Sequence, residues 1–165
     1  MDAQRRTEPP RAADEHTTLT GFLQHQRETL ASTCAGLTAE QLRARAVSPS
    51  GLSLIGLVRH MADVERTWFR NVVHGERTKP HWPRGEGGAF DVDTADPTEA
   101  FDAWHEECAR SRAIVDAAES LDATGRFGSD VFSLRYVLTH MIEEYARHNG
   151  QADLLRQAID AAAGE

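Results

Sequence analysis

Apolar residues recur at helical spacing in four segments of the chain, and stretches rich in glycine, proline and polar residues separate these segments. The periodicity predicts helices over about 16–36, 53–74, 97–121 and 134–163. Each helix has an apolar stripe on one side and charged residues on the other. No segment shows the strict alternation of a half-buried strand. We therefore predict an all-α fold, and four long amphipathic helices indicate a four-helix bundle.

Local signals mark the ends of these helices. The run Asp96-Pro97-Thr98-Glu99 supplies an N-cap acid, a proline at the first helical position and a second acid at the third. Ser53 is the predicted N-cap of the second helix, and Gly75 suits the position just after its end. The run Thr38-Ala39-Glu40-Gln41 is typical of a capping box and predicts a short additional helical turn.

The connection between the second and third helices is long. It spans about 20 residues, from His74 to Asp96, whereas adjacent antiparallel helices are usually joined by about 2–8. A connection of this length reaches the far end of a helix about 30 Å long, so it predicts a crossover between two parallel helices. It also carries Trp82, which we expect either to pack on a bundle end or to close over a ligand.

Length and composition indicate one globular domain. The chain has 165 residues, of which 40% are hydrophobic and 27% charged. Residues 1–14, with Pro9 and Pro10, are predicted to be a flexible N-terminal tail, which leaves 15–165 as a single domain. Cys34 and Cys108 lie on apolar stripes and are expected to be reduced core residues.

The charge and the apolar runs exclude several partners. A net charge of −8 without a compact basic stripe argues against nucleic-acid binding. No apolar run approaches the roughly 20 residues of a membrane helix, so we expect no membrane partner. Because the first residues contain no apolar segment typical of a secretory signal, we expect a cytoplasmic protein.

Polar side chains on the apolar stripes indicate a metal site. His60 lies at the edge of the stripe of the second helix, and His148 lies near the centre of the stripe of the fourth. Glu144 is four residues before His148, so both side chains reach the same point beside the helix. Burying an unpaired carboxylate costs several kcal/mol. One oxygen and two nitrogens form a three-ligand set with open positions, as in catalytic divalent-metal sites.

Ordinary structural roles compete with this interpretation. A single histidine at a helix edge is usually a hydrogen-bonded boundary residue, and a glutamate and histidine four apart often form a simple surface pair. His140, Glu144 and His148 follow one another at four-residue spacing. The two histidines are about 12 Å apart along the axis, so one ion cannot bind both. The apolar stripe favours Glu144 with His148, and spacing alone leaves the choice between metal site and structural pair open.

Two stretches resemble a known family. Residues 53–69 resemble the second helix of the DinB/YfiT superfamily, in its actinobacterial branch related to mycothiol S-transferases. Residues 133–156, with His148-Asn149-Gly150-Gln151, resemble the last helix of that branch. Together these stretches cover about a quarter of the chain. The resemblance implies an up-down-down-up four-helix bundle, which agrees with the long crossover between the second and third helices.

The resemblance also implies a ligand set for a divalent metal. Its positions map onto His60 in the second helix and onto Glu144 and His148 in the fourth. Many members of the superfamily carry histidine where this chain has Glu144, whereas the mycothiol branch commonly carries glutamate. A carboxylate is a harder ligand than imidazole and can change metal preference. Zinc is the expected ion, with nickel and manganese as the alternatives.

The activity implied by the resemblance is a metal-dependent thiol S-transferase. The metal would bind a low-molecular-weight thiol, such as mycothiol, as the thiolate that attacks an electrophile. The expected partners are these two small molecules, and a homodimer is compatible with the superfamily. The alternatives are a non-catalytic stress or regulatory module, an isomerase, and a hydrolase in which Glu144 or Glu65 assists a metal-bound water. The sequence identifies no catalytic or substrate-binding residue.

Overall fold

A computed structural model of the chain describes residues 6–83 and 87–164. The described residues are mostly helical, with five α-helices: α1 (Glu15–Cys34), α2 (Ala39–Arg43), α3 (Leu54–Glu65), α4 (Pro97–Asp116) and α5 (Leu134–Ala163). α3 continues directly into a π-helical segment, Arg66–Val73, and a 3-10 turn spans Gly88–Phe90. Two short strands, β1 (Thr124–Phe127) and β2 (Asp130–Ser133), precede α5. Among these helices, none is both long enough and apolar enough to cross a membrane.

The predicted helix ends are confirmed where capping residues marked them. The side chain of Asp96 accepts a hydrogen bond from the Thr98 N–H at 2.9 Å, and α4 begins at Pro97. Thr38 and Gln41 form the reciprocal capping box at the start of α2, with bonds of 2.9 and 3.2 Å. Gly75 has a φ of 78°, the left-handed conformation that glycine adopts after a helix end.

The described residues are mostly helical, as predicted, and residues 124–133 add a small antiparallel hairpin that the periodicity did not predict. Thr124 pairs with Ser133 and Phe127 with Asp130, so Gly128 and Ser129 form a two-residue turn. Gly128 has a φ of 60°, as the first central residue of a type II′ turn requires. Each strand has four residues and is largely exposed. Strands this short and this exposed leave no alternating apolar pattern in the sequence.

The hairpin is held by a close backbone approach. Gly125 is the buried residue of β1, and a Cβ atom at this position would overlap the carbonyl oxygen of Val72 in the π-helical segment. Only glycine leaves the space for this contact. The packing of the hairpin therefore depends on the π-helical segment, which is distant in the sequence.

The chain divides into two compact units. The first unit contains the residues up to Leu54 and those from Leu138 onwards, and the second contains Ile55–Val137. The first unit buries apolar side chains of α1, α2 and α5, among them Leu23, Leu30, Leu42, Met141, Tyr145 and Leu155. The second buries apolar side chains of α3, the π-helical segment and α4, among them Leu57, Met61, Phe69, Trp104 and Val115. The single domain stays a prediction.

Within the first unit, α1 and α5 run in the same direction. Asn149 donates to the Gln26 side chain at 2.7 Å, and Arg156 donates to the Thr33 carbonyl at 2.8 Å. The contact therefore advances by seven residues along both helices. Before α1, the carbonyl of Thr7 lies 2.9 Å from a ring nitrogen of His25. Residues 1–5 of the predicted tail lie outside the described residues, and its flexibility stays a prediction.

Within the second unit, ionic contacts show the relative direction of α3 and α4. The charge of Glu99, in the first turn of α4, acts on Arg59 in the middle of α3. Glu107, two turns further along α4, pairs with Arg66 and Arg70 beyond the end of α3. The two helices therefore run in the same direction, as a long crossover connection requires.

Candidate metal centre

The three residues proposed as ligands from the sequence lie together. One donor atom from each of His60, Glu144 and His148 is within 4.8 Å of the other two, and all three side chains are half-buried. The Nε2 of His148 and the Oε2 of Glu144 are 3.4 Å apart. Donor atoms about 2.1 Å from a tetrahedral ion lie about 3.4 Å from one another. The group therefore has the composition and spacing to hold a divalent cation.

A hydrogen bond within α5 orients the ring of His148. Its Nδ1 lies 2.8 Å from the Oε1 of Gln151, one turn later on α5. An amide oxygen only accepts hydrogen bonds, so Nδ1 is the donor in this bond, and the ring then directs Nε2 towards Glu144. The neighbouring Asn149 is buried and donates to the backbone carbonyl and the side chain of Gln26 on α1. This anchor fixes the turn of α5 that carries His148.

Glu144 lies between two imidazoles of α5. Its Oε1 is 3.6 Å from the Nε2 of His140, and its Oε2 faces His148. The group of close donors includes His148 and not His140. This geometry agrees with the pairing that the apolar stripe favoured, and the role of these residues as metal ligands stays a prediction.

His60 lines a pocket of about 670 Å³ in the second unit. The imidazole stacks on the ring of Phe90, with the ring centroids 5.3 Å apart. Trp82, for which the sequence left two roles open, is part of the pocket wall. The other described residues of the wall are Asp63, Val64, Thr67, Trp68, Asn71, Thr78, Pro80, Gly87, Gly88 and Ala89.

Two polar side chains fix the long connection against α3 and the π-helical segment. Asp63 accepts hydrogen bonds from the backbone N–H of His81 at 2.6 Å and from that of Trp82 at 3.4 Å. Burial raises the pKa of Asp63 above its ordinary value, and these two N–H donors oppose the shift. The amide of Asn71 binds both the N–H and the carbonyl of Thr78. These bonds from Asp63 and Asn71 to backbone groups therefore position the part of the pocket wall that the long connection supplies.

Glu107 forms a buried ionic cluster that the sequence analysis missed. Its side chain is fully buried and binds Arg66 at 2.7 Å, Arg70 at 3.1 Å and His81 at 3.1 Å. A signal was present in the sequence, because Glu107 lies beside Cys108 on the apolar stripe of α4. A carboxylate on an apolar stripe is also the observation that singled out Glu144. The cluster joins α4, the π-helical segment and the long connection.

Neither Cys34 nor Cys108 forms a disulfide, and both are buried, as expected. Burial raises the pKa of Cys34 to about 12, which disfavours the reactive thiolate. The thiol of Cys108 lies 3.6 Å from the carboxylate of Glu65, which is itself fully buried. Glu65 is not among the described residues that line the pocket of His60. Its proposed part in a hydrolase mechanism therefore has no support from this geometry.

A model of the mycothiol S-transferase family matches residues 18–161, which is most of the chain. The chain belongs to the mycothiol S-transferase family. The resemblance of the second and last helices is thereby confirmed. No curated protein matches the chain. Family membership and the group of His60, Glu144 and His148 together indicate a mycothiol-related transferase with a candidate metal site.

Proposed function

We propose that this protein is a divalent-metal-dependent thiol S-transferase that acts on small molecules in the cytoplasm. His60, Glu144 and His148 are its metal ligands, within the up-down-down-up four-helix bundle of the family. A mycothiol-like thiol is the nucleophile, and a small electrophile is the second substrate. The observation that carries the proposal is the approach of the three donor atoms to within 4.8 Å of one another. The homodimer stays a prediction.

The donor set suits a metal that activates a thiol. Two neutral imidazoles and one carboxylate leave a divalent ion with one net positive charge, which a single thiolate neutralises. Zinc accepts nitrogen, oxygen and sulfur ligands and is the expected ion, with nickel and manganese as alternatives. When bound, the metal is a Lewis acid that lowers the pKa of the thiol and so makes a nucleophile near neutral pH.

The residues of this chain orient the reacting groups. Gln151 holds the ring of His148 in the tautomer that points a lone pair at the site. Phe90 supports the imidazole of His60 by stacking on it. The half-burial of all three ligands lowers the local dielectric, which strengthens their interaction with a cation. The pocket beside His60 leaves room for a substrate next to the ligand set.

Metal analysis combined with a thiol-conjugation assay tests the proposal. The protein as purified should contain stoichiometric metal, and a chelator should abolish conjugation of mycothiol to a model electrophile. His60→Ala should lose both metal affinity and activity. Each loss should exceed the roughly 10–100-fold that is typical for residues that only support the ligands. The matched control is His105→Ala, which removes an exposed imidazole of α4. It should retain metal content and rate.

Other outcomes would favour the alternative functions. Activity that persists with chelator and in His60→Ala would contradict the proposal. Ester or amide hydrolysis without added thiol would instead indicate a hydrolase, and regeneration of the thiol during substrate rearrangement would indicate an isomerase. Bound metal without affinity for any thiol would indicate a non-catalytic module.

A further inference from the structure

The pocket beside His60 has aromatic walls. Trp68, Trp82 and Phe90 line it, and Phe90 contacts the imidazole of His60 directly. Its volume of about 670 Å³ is typical of sites for small organic molecules. Aromatic side chains bind flat rings by stacking or edge contacts, which contribute about 0.5–1.5 kcal/mol beyond the buried area.

Two polar side chains of this pocket, Asp63 and Asn71, already bind the protein's own backbone. Asp63 accepts from the backbone of His81 and Trp82, and the amide of Asn71 binds the backbone of Thr78. A hydroxyl-rich molecule would need several hydrogen-bonding partners here, because an unsatisfied buried polar group costs about 1–3 kcal/mol. The walls therefore suit an aromatic ligand better than a sugar-like thiol.

The aromatic walls are held in place before any ligand binds. The guanidinium of Arg59 lies 4.6 Å from the centre of the Trp82 ring, a cation–π contact on that ring. The ring of Trp68 meets Phe132 of β2 edge to face, with centroids 5.2 Å apart. A preformed wall binds a ring at lower entropic cost than a mobile one.

We propose that this pocket binds the electrophile and that the electrophile is a flat aromatic molecule, for which a benzyl halide is the test substrate. The inference rests on the proposed function. The ring lies against Phe90 and Trp82, with the reactive carbon at the end of the pocket that His60 lines. In the transfer, sulfur forms the new C–S bond and the C–halogen bond breaks. The halide leaves with the bonding electron pair, and the thiol proton passes to solvent.

Substrate preference in the full chain tests this assignment. The two electrophiles are 4-nitrobenzyl chloride and chloroacetamide, with the same thiol and with rates corrected for the uncatalysed reaction. Phe90→Ala should lower kcat/KM for 4-nitrobenzyl chloride about 5–10-fold, as expected for the loss of one aromatic contact. Because Phe90 also stacks on His60, both rates are compared at equal metal content, and the ratio of kcat/KM for 4-nitrobenzyl chloride to that for chloroacetamide should fall about 5–10-fold relative to the wild type. Phe22→Ala is the matched control, because it removes the same side chain at a similar exposure outside the pocket. Phe22, on α1, is 44% exposed, and Phe90 is 37% exposed.

A binding measurement tests the pocket without turnover. The probe is 4-nitrotoluene, which does not react with thiols and quenches tryptophan fluorescence. It should quench the wild-type protein and Phe22→Ala saturably, and it should bind Phe90→Ala about 5–10-fold more weakly. This readout needs neither metal nor thiol, so it stays informative if the proposed transferase activity is absent.

Three results would overturn the inference. One is an equal loss of kcat/KM for both electrophiles in Phe90→Ala. Another is binding of 4-nitrotoluene that does not differ between Phe90→Ala and the wild type. The third is competition between 4-nitrotoluene and the thiol, because it would show that the pocket holds the thiol. Metal-dependent conjugation that persists alongside any of these results would leave the proposed function standing.

Discussion

Replacing Glu107 with glutamine removes a fully buried negative charge without changing the size of the side chain. In the native protein this carboxylate binds Arg66, Arg70 and His81 through one oxygen. Without it, these groups face one another and lack their shared counter-ion. Because the partners come from the π-helical segment and the long connection, the loss should weaken the whole second unit.

The burial of the cluster sets the expected magnitude. The side chain of Glu107 is 0% exposed, and those of Arg66 and Arg70 are 17% and 13% exposed. Breaking a buried ion pair by removing one partner costs about 3–5 kcal/mol. The arginines keep some contact with water, so we expect the lower end, a loss of about 3 kcal/mol in unfolding free energy. For a chain of this size that loss lowers Tm by about 6–12 °C.

Urea unfolding followed by far-UV circular dichroism measures this loss. Glu107→Gln should lower the midpoint of unfolding while leaving the slope m unchanged. The matched control is Asp160→Asn, which removes a carboxylate from the exposed pair with Arg156, 2.9 Å apart and four residues away on α5. That change should cost less than about 0.5 kcal/mol, as is usual for surface pairs.

A small or salt-sensitive effect would refute the reasoning. A loss below about 1 kcal/mol would show that Glu107 contributes no more than a surface pair does. A loss that shrinks by more than half between low and high salt would show that solvent ions reach the cluster, because buried charges are weakly screened. Either result would contradict a dry ionic cluster.

Two further predictions concern Cys34 and Gln151. The pKa of the Cys34 thiol is about 9.0 in the unfolded chain and about 12 in the folded chain, where it is buried. Between these two values only the unfolded chain ionises, so the free energy of unfolding should fall as pH rises from 9 to 12. The slope from this residue reaches about 1.4 kcal/mol per pH unit, and urea midpoints should show it in the wild type but not in Cys34→Ala. Equal pH dependence in the two proteins would show that the thiol is accessible to water. Gln151→Leu should weaken metal binding about 10–100-fold in competition with a chromophoric chelator, whereas Gln151→Glu should retain it. Equal affinities in the two variants would argue against orientation of His148 by this side chain.

Helix ends were predictable from the sequence because capping is local. The side chain of Asp96 reaches the N–H of Thr98, and Thr38 and Gln41 satisfy one another within a single turn. The spacing of Glu144 and His148 on one helix is equally local, so their proximity followed from helical geometry alone. These features depend on residues no more than four positions apart.

The tertiary structure alone decided the features that join distant segments. The hairpin depends on the close approach of Gly125 to Val72, and its short, exposed strands carry no periodic signal. The partners of Glu107 come from positions 26–41 residues away in the chain. His60 could be proposed as a ligand from its place on an apolar stripe. Its distance to Glu144 and His148 depends on how the helices fold back, because helical periodicity fixes the face of a residue and not the segment that the face meets.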